Sequence, residues 1–393
     1  MIDKFDFLII GAGIVGISIA MELKSRYKNA RIMLMEKEST LGAHASGRNS
    51  GVIHAGFYYS SDSLKAKLTR KGNQALHNFC DEMKIPVNRC GKLVVAKNEQ
   101  EDKQLDVLYN LGNKNGVPLE LLDKNQAMEI EPRIKTFKRC LYSPTTSSVN
   151  PHHVLEKLYA LLHELKVEFS FNEAYINSVG TKVQSSKRKI EAGFIFNCAG
   201  TYADRIAKRF NVGHEYKILP FKGLYLYSNE LSGSFKTNIY PVPDMKLPFL
   251  GVHFTLTSDG RAKIGPTAIP ALWNEHYAGM KNFSFREFIS VSSLGTSLLR
   301  KQQFRRLAKS EFEKYKRKNL VKAATSLASG VKVQNFMKWG NPGIRAQLVH
   351  LPSNKLEMDF VIKKSSRSIH VLNAVSPAFT CSFPFSKLVC DRV

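Results

Sequence analysis

Five of the six positions in Phe5-Asp-Phe-Leu-Ile-Ile10 are apolar, which predicts a strand buried on both faces. The turn Gly11-Ala-Gly13-Ile-Val-Gly16 follows, then helical spacing over 17–27 and a second apolar run from Ala30 to Glu36. Strand, helix and strand in that order predict a βαβ unit, hence a parallel sheet covered by helices. The stretch Ser39 to Gly51 is small, polar and too glycine-rich for a regular element. Helical spacing returns at 63–83 and 101–115. Pro151 to Leu165 reads as a helix with Asn150 as N-cap and proline in its first turn. Phe194-Ile-Phe-Asn-Cys-Ala-Gly200 predicts another strand running into a glycine turn. Residues 216–265 alternate apolar and polar positions between Gly and Pro, the pattern of antiparallel strands. Helical spacing with a heavy basic load covers 283–327. A last strand, Ser368 to Leu372, feeds Asn373-Ala-Val-Ser-Pro377 and a short terminal helix.

The fold class expected is therefore α/β. A Rossmann-like dinucleotide-binding domain is assembled from 1–80, 146–212 and 336–393. An inserted α+β domain on an antiparallel sheet takes 81–145 and 213–335. No internal repeat or low-complexity linker breaks this order.

Composition narrows the function. At 393 residues with 43% hydrophobic and 23% charged positions, a large core is available and disorder is excluded. The formal net charge of +25 points to anionic partners: nucleic acid, a membrane surface or acidic metabolites. Six scattered cysteines with no close pair suit a reducing compartment and neither a disulfide framework nor structural zinc. His152 and His153 are adjacent and lack metal-ligand spacing, so no metal is expected. The most apolar stretch, Phe7 to Met21, is too short and glycine-broken for a span of about 20 residues. Asp3 and Asp6 flank Lys4, unlike the basic head of a secretory signal. The expected protein is cytoplasmic, soluble or peripheral.

In the glycine turn, Gly11 permits the tight bend, Gly13 lets the backbone approach a pyrophosphate, and Gly16 lets helix and strand pack closely. The helix start offers free N–H groups to phosphate, and Glu36 offers acceptors to ribose hydroxyls. The turn suits FAD and NAD alike. Ser46-Gly-Arg48-Asn49-Ser50-Gly51 adds a second donor-rich, glycine-rich segment, suited to a long cofactor. The plain alternative is a solvated loop.

Three segments carry a resemblance to a known family. The first is F-L-I-I-G-A-G-I-V-G-I-S-I-A from Phe7 with M-E-K at 35–37, then H-A-S-G-R-N-S-G-V-I-H-A-G-F-Y-Y from His44. The second is I-Y-P-V-P-D-M-K-L-P-F-L-G-V-H-F-T from Ile239, with D-G-R-A-K-I-G-P-T-A from Asp259. The third is G-I-R-A-Q from Gly343, running through M-D-F-V to I-H-V-L-N-A-V-S-P-A. The whole chain resembles the FAD-dependent oxidoreductases of the D-amino-acid-oxidase type, and within them the L-2-hydroxyglutarate oxidase/dehydrogenase family.

The resemblance implies FAD and oxidation of the alcohol of L-2-hydroxyglutarate, a small dicarboxylate, to the ketone of 2-oxoglutarate. It implies cofactor contacts from Gly11, Gly13, Gly16, Glu36, Lys37, Ser46, Arg48, Asn49, Ser50, Tyr175, Ala199, Gly200, Gly343, Ser376, Ala378 and Phe379. The chain departs from the family pattern at Lys222, Leu224, Tyr175 and Phe379. An FAD enzyme for another small 2-hydroxy or amino acid is the alternative.

The chemistry asks for a base and for cations. His54 and His253 are the candidate bases, since histidine titrates near neutral pH; which of them acts is open. Arg345 offers a planar fork for a carboxylate, and Lys222 a second cation. The bland readings are packed histidines and surface cations. Between Arg300 and Lys322, ten Lys or Arg and two Glu interleave with Phe304, Leu307, Phe312, Tyr315 and Leu320. This is either a solvated helical face or a docking face for anionic membrane, which would suit electron delivery to quinone and the respiratory chain rather than oxygen. Two other classes compete: a nicotinamide-dependent dehydrogenase, and a basic nucleic-acid-binding protein, for which no recognition motif is present.

Overall fold

The computed structural model describes residues 2–244 and 249–393. Residues 245–248, inside the second resemblance segment, lie outside the described residues. The chain divides into two units, 1–49 with 151–220 and 345–393, and 50–150 with 221–344. Residues 50–80, 146–150 and 336–344 thus group with the second unit and 213–220 with the first, unlike the boundaries drawn from the sequence.

The first unit contains β1 (Asp3–Ile10), α1 (Ile14–Arg26), β2 (Ile32–Met35), α2 (Pro151–Glu164), β3 (Glu168–Ser170), β4 (Lys189–Asn197), α3 (Ala203–Arg209), β5 (Ser368–Asn373) and α4 (Ala378–Cys390). These strands run parallel in the order β5-β4-β1-β2-β3. The chain proceeds outward from β1 on one side and returns through β4 and β5 on the other. The order therefore reverses between β1 and β4, where open α/β sheets place their ligands. β1 and β2 read as continuous apolar runs because both faces are covered, and Leu8, Ile9, Met33 and Leu34 are fully buried. α1 packs on α2 and α4, burying Ile17, Ile19, Ala20 and Leu23 completely. The terminal helix has 13 residues, longer than the short element expected.

The second unit is built on an eight-stranded sheet, in spatial order 336–339, 226–228, 262–265, 253–256, 238–241, 92–95, 139–143 and 120–123. The alternation over 216–265 predicts antiparallel pairing, and 238–241 is antiparallel to 253–256. It is nevertheless parallel to 92–95. Those strands come from separate segments, so no tight turn ties their directions. Leu93, Ile239, Phe254, Ile264 and Phe336 form the core, with Leu320, Val321 and Ala324 packed on it. The basic run forms three helices, Phe285–Leu299, Gln302–Glu313 and Arg317–Ala324.

Candidate functional site

In the first unit the singled-out residues gather where β1, β2 and β4 end. Gly11 has φ +103°, and a Cβ there would sit 2.6 Å from the Cys198 carbonyl oxygen. Cys198 N–H in turn donates to the Ile10 carbonyl at 2.9 Å. A Cβ on Gly16 would lie 2.1 Å from the Gly11 carbonyl oxygen, so α1 can approach β1 only because this position is bare. Gly13 is the N-cap of α1 and supplies no side chain to its own helix start. Ser46 does so from a distance: its Oγ accepts from Ile14 N–H at 2.9 Å and would lie 3.0 Å from a Cβ on Gly13.

Glu36 accepts from Ala12 N–H and from Glu38 N–H, both at 3.0 Å, which fixes its carboxylate under the turn. Two carboxylate oxygens carry about four lone pairs, so acceptor capacity remains for hydroxyl groups. Lys37 bonds Glu38 and lies 5.5 Å from the Tyr202 ring centroid.

Arg48 and Asn49, expected at the cofactor, also bond their own loop. Arg48 Nε donates to the Ala43 carbonyl at 2.6 Å, and Asn49 Nδ2 to the Ser46 carbonyl at 2.7 Å. Ser50, which opens the second unit, accepts from Val52 N–H at 3.3 Å. Tyr175 is half-buried against the core around Phe5 and Met35, its hydroxyl 2.7 Å from Ser178 Oγ.

After β4, Ala199 N–H donates to Asn197 Oδ1 at 3.3 Å, and Gly200 (φ +55°) has open space where a Cβ would be. After β5 the chain turns through the exposed Ser376 into α4, with Ala378 buried and Phe379 half-buried at its start. A bare glycine turn, a helix N-terminus and a fixed carboxylate together fit the pyrophosphate and ribose of a dinucleotide.

Sequence reasoning missed His370. It is fully buried between Asn197 Nδ2 at 3.0 Å and Ser368 Oγ at 2.9 Å, and burial lowers its pKa to about 4. Its apolar surroundings, I-H-V-L, were the available signal.

In the second unit both candidate bases are buried, His54 at 7% and His253 at 5% exposure. His54 follows the strand Val52–Ile53, and its carbonyl accepts from Asn73 Nδ2 at 3.2 Å. Burial first, then the charge of Lys92, pushes its pKa down to about 3. His253 donates from Nδ1 to the Gly251 carbonyl at 2.9 Å. Its ring stacks on Tyr240, centroids 3.8 Å apart at 20°.

Lys222, 4% exposed, is lowered to about 8 by burial, and its Nζ lies 5.9 Å from the Tyr315 ring centroid. Lys263, not anticipated, is equally buried and lowered to about 8 by burial. It donates to the Ser50 carbonyl at 3.0 Å and lies 4.8 Å from the Tyr225 ring. Gly343 is buried at the start of the strand Gly343–His350. Arg345, half-buried on that strand, opens the last segment of the first unit. In the basic run, Leu320 is fully buried in the core and faces no lipid, whereas Phe312 and Tyr315 are exposed at 47% and 40%.

The profile of the family described as FAD dependent oxidoreductase (DAO) matches residues 6–392. L-2-hydroxyglutarate dehydrogenase of Escherichia coli K12 is 34% identical over 399 residues, covering 99% of this chain and 93% of its own. The mitochondrial protein of that name from Caenorhabditis briggsae is 35% identical over 417 residues, covering 100% and 93%. Among solved structures, L-alpha-glycerophosphate oxidase from Mycoplasma pneumoniae with FAD bound superposes with TM-score 0.79 at 21% identity, covering 99% and 94%. Glycine oxidase from Geobacillus kaustophilus gives 0.74 at 18%, also covering 99% and 94%. The chain is an FAD-dependent oxidoreductase, a member of the D-amino-acid-oxidase-type family alongside relatives named L-2-hydroxyglutarate dehydrogenase.

Proposed function

We propose that this protein oxidises L-2-hydroxyglutarate to 2-oxoglutarate. The observation that carries the reading is the full-length likeness, at 34–35% identity, to relatives bearing that activity in their names. FAD, when bound, supplies the acceptor for the hydride leaving C2. Gly11, Gly13, Gly16, Glu36, Lys37, Ser46, Ala199 and Gly200 would hold it, with Gly343, Tyr175 and the start of α4 (Ser376, Ala378, Phe379) contributing further. Arg48, Asn49 and Ser50, on a loop braced by its own hydrogen bonds, would contact it as well.

The chain's own groups would do the rest. His54 or His253 takes the hydroxyl proton on a ring nitrogen. Arg345 grips one carboxylate. Lys222, whose ammonium persists below about pH 8, grips the other. The electrons would pass to quinone rather than oxygen at an anionic membrane surface, docked through the basic helices. Exposed Phe285 at 66% and Phe312 at 47% support that face.

The test is the visible spectrum of the purified holoenzyme. Flavin absorbance should bleach with L-2-hydroxyglutarate and return faster with a soluble quinone than with oxygen. At low salt the protein should float with anionic vesicles. A flavin that stays oxidised with this substrate but bleaches with another 2-hydroxy or amino acid would overturn the substrate.

A further inference from the structure

The connection from β4 to α3 carries Ala199 and Gly200, and one buried side chain ties it at both ends. Asn197 is fully buried at the last position of β4. Its Oδ1 accepts from Ala199 N–H at 3.3 Å, and its Nδ2 donates to the Ala203 carbonyl at 2.8 Å. A backbone N–H can only donate and a carbonyl can only accept, so this amide has one orientation. Cys198, inside the connection, lies against the glycine turn. Its N–H bonds the Ile10 carbonyl at 2.9 Å, and its own oxygen would meet a Cβ on Gly11 at 2.6 Å.

β5 supplies the group that fixes the amide. Asn197 pairs with His370 in the parallel register of β4 and β5, so both side chains leave the same face of the sheet. The second Nδ2 hydrogen of Asn197 meets His370 Nδ1, 3.0 Å away. That hydrogen needs an acceptor, so Nδ1 is bare. A neutral imidazole has one N–H, which therefore sits on Nε2 and donates to Ser368 Oγ at 2.9 Å. Ser368 lies two residues earlier on the same strand and face. All three side chains are buried, and the Phe210 ring packs on the imidazole with centroids 4.9 Å apart. Burial lowers the His370 pKa to about 4, so the ring is neutral at working pH. Buried polar chains are costly unless satisfied, and here every side-chain nitrogen has a partner.

We propose that His370 is a positioning residue for the cofactor: its bare Nδ1 holds the Asn197 amide in the one orientation that straps Ala199 and Ala203, and so presents Ala199 and Gly200 to FAD. The inference rests on the reading of Ala199 and Gly200 as cofactor contacts. A packing role asks only for volume, whereas this role asks for an acceptor at one atom.

The experiment measures FAD release on dilution of the holoenzyme, for the parent, His370→Leu and His370→Asn. Leucine fills the space but leaves an Asn197 N–H buried without an acceptor, whereas asparagine can set its oxygen where Nδ1 lies. His370→Leu should weaken FAD by roughly tenfold, and His370→Asn should recover most of that loss. The reverse ranking, or equal affinity in all three, overturns the proposal. Ring-nitrogen NMR of His370 in the parent needs no variant and no turnover. It should report a neutral ring protonated at Nε2. A ring protonated at Nδ1 overturns the proposal, even if His370→Leu fails to fold.

Gly200→Asn tests the cofactor reading separately. Asparagine tolerates the φ of +55°, and no described atom lies within 4 Å of where its Cβ would be. The added side chain should weaken FAD by crowding it. If Gly200→Asn loses FAD affinity while His370→Leu keeps it, the cofactor reading stands and the positioning role falls. If Gly200→Asn binds FAD like the parent, the turn does not face the cofactor and both fall.

Discussion

The first unit holds its candidate site with main chain. Two glycines press backbone on backbone, the helix start has no cap from its own N-cap residue and takes one from Ser46, and one carboxylate is pinned by two N–H groups. The second unit holds its candidates as buried side chains: two histidines and three lysines (Lys92, Lys222 and Lys263), none above 7% exposure. The main-chain part of the first site is blind to pH, since amides do not titrate in the working range. A site of buried titratable groups is tunable, and each of its members costs stability in its charged form.

The contrast breaks most readily at Gly16. A methyl group there meets a backbone oxygen at 2.1 Å that no side-chain rotation can move. Gly16→Ala should cost about 3 kcal/mol or more and abolish flavin retention, read from the flavin-to-protein absorbance ratio. Full flavin content in that variant would remove the main-chain account of the first unit.

In the second unit, His54→Ala or His253→Ala should lower turnover by roughly 10²–10⁴-fold, according to which of them is the base. If both variants turn over like the parent, neither histidine takes the proton. His54 also has a stability signature. Folded, it titrates near 3, whereas unfolded it would titrate near 6.5. The unfolded chain therefore binds the proton first, and stability present above pH 6.5 is lost as pH falls toward 3. His54→Ala should flatten that part of the denaturation profile.

The smallest effect is Glu36→Ala. Losing one acceptor for the turn and for ribose should weaken FAD by roughly tenfold, measured by titrating apoprotein with FAD. No change would mean that the glycine turn alone holds the cofactor.

The first unit is largely legible in the sequence. Its signals are local: an apolar run, Gly11-x-Gly13-x-x-Gly16 and Glu36 all fall within 36 residues and within one βαβ unit. The second unit was legible as alternation and as two histidines, but not as a cluster. Lys92 at the head of K-L-V-V reads as an edge charge, because nothing nearby says that the strand 238–241 will lie beside it in parallel. Tyr240 pairs with His253 across a 13-residue separation that includes residues outside the described ones. Lys263 meets Ser50 across 213 residues. Contacts of that span are made by the sheet, not by spacing. Arg48 and Asn49 are readable as donors, but the carbonyls of their own loop that they bond are not.

The burial of α1 between α2 and α4 has a consequence for synthesis on the ribosome. α1 ends at Arg26, while α4 begins at Ala378, 352 residues later. At about 5–20 residues per second, roughly 20–70 s separate the two. Throughout that interval α1 lacks one of the two helices that pack on it. The segment bearing the glycine turn is thus made long before the helix that encloses it, and chaperone capture should concentrate on it.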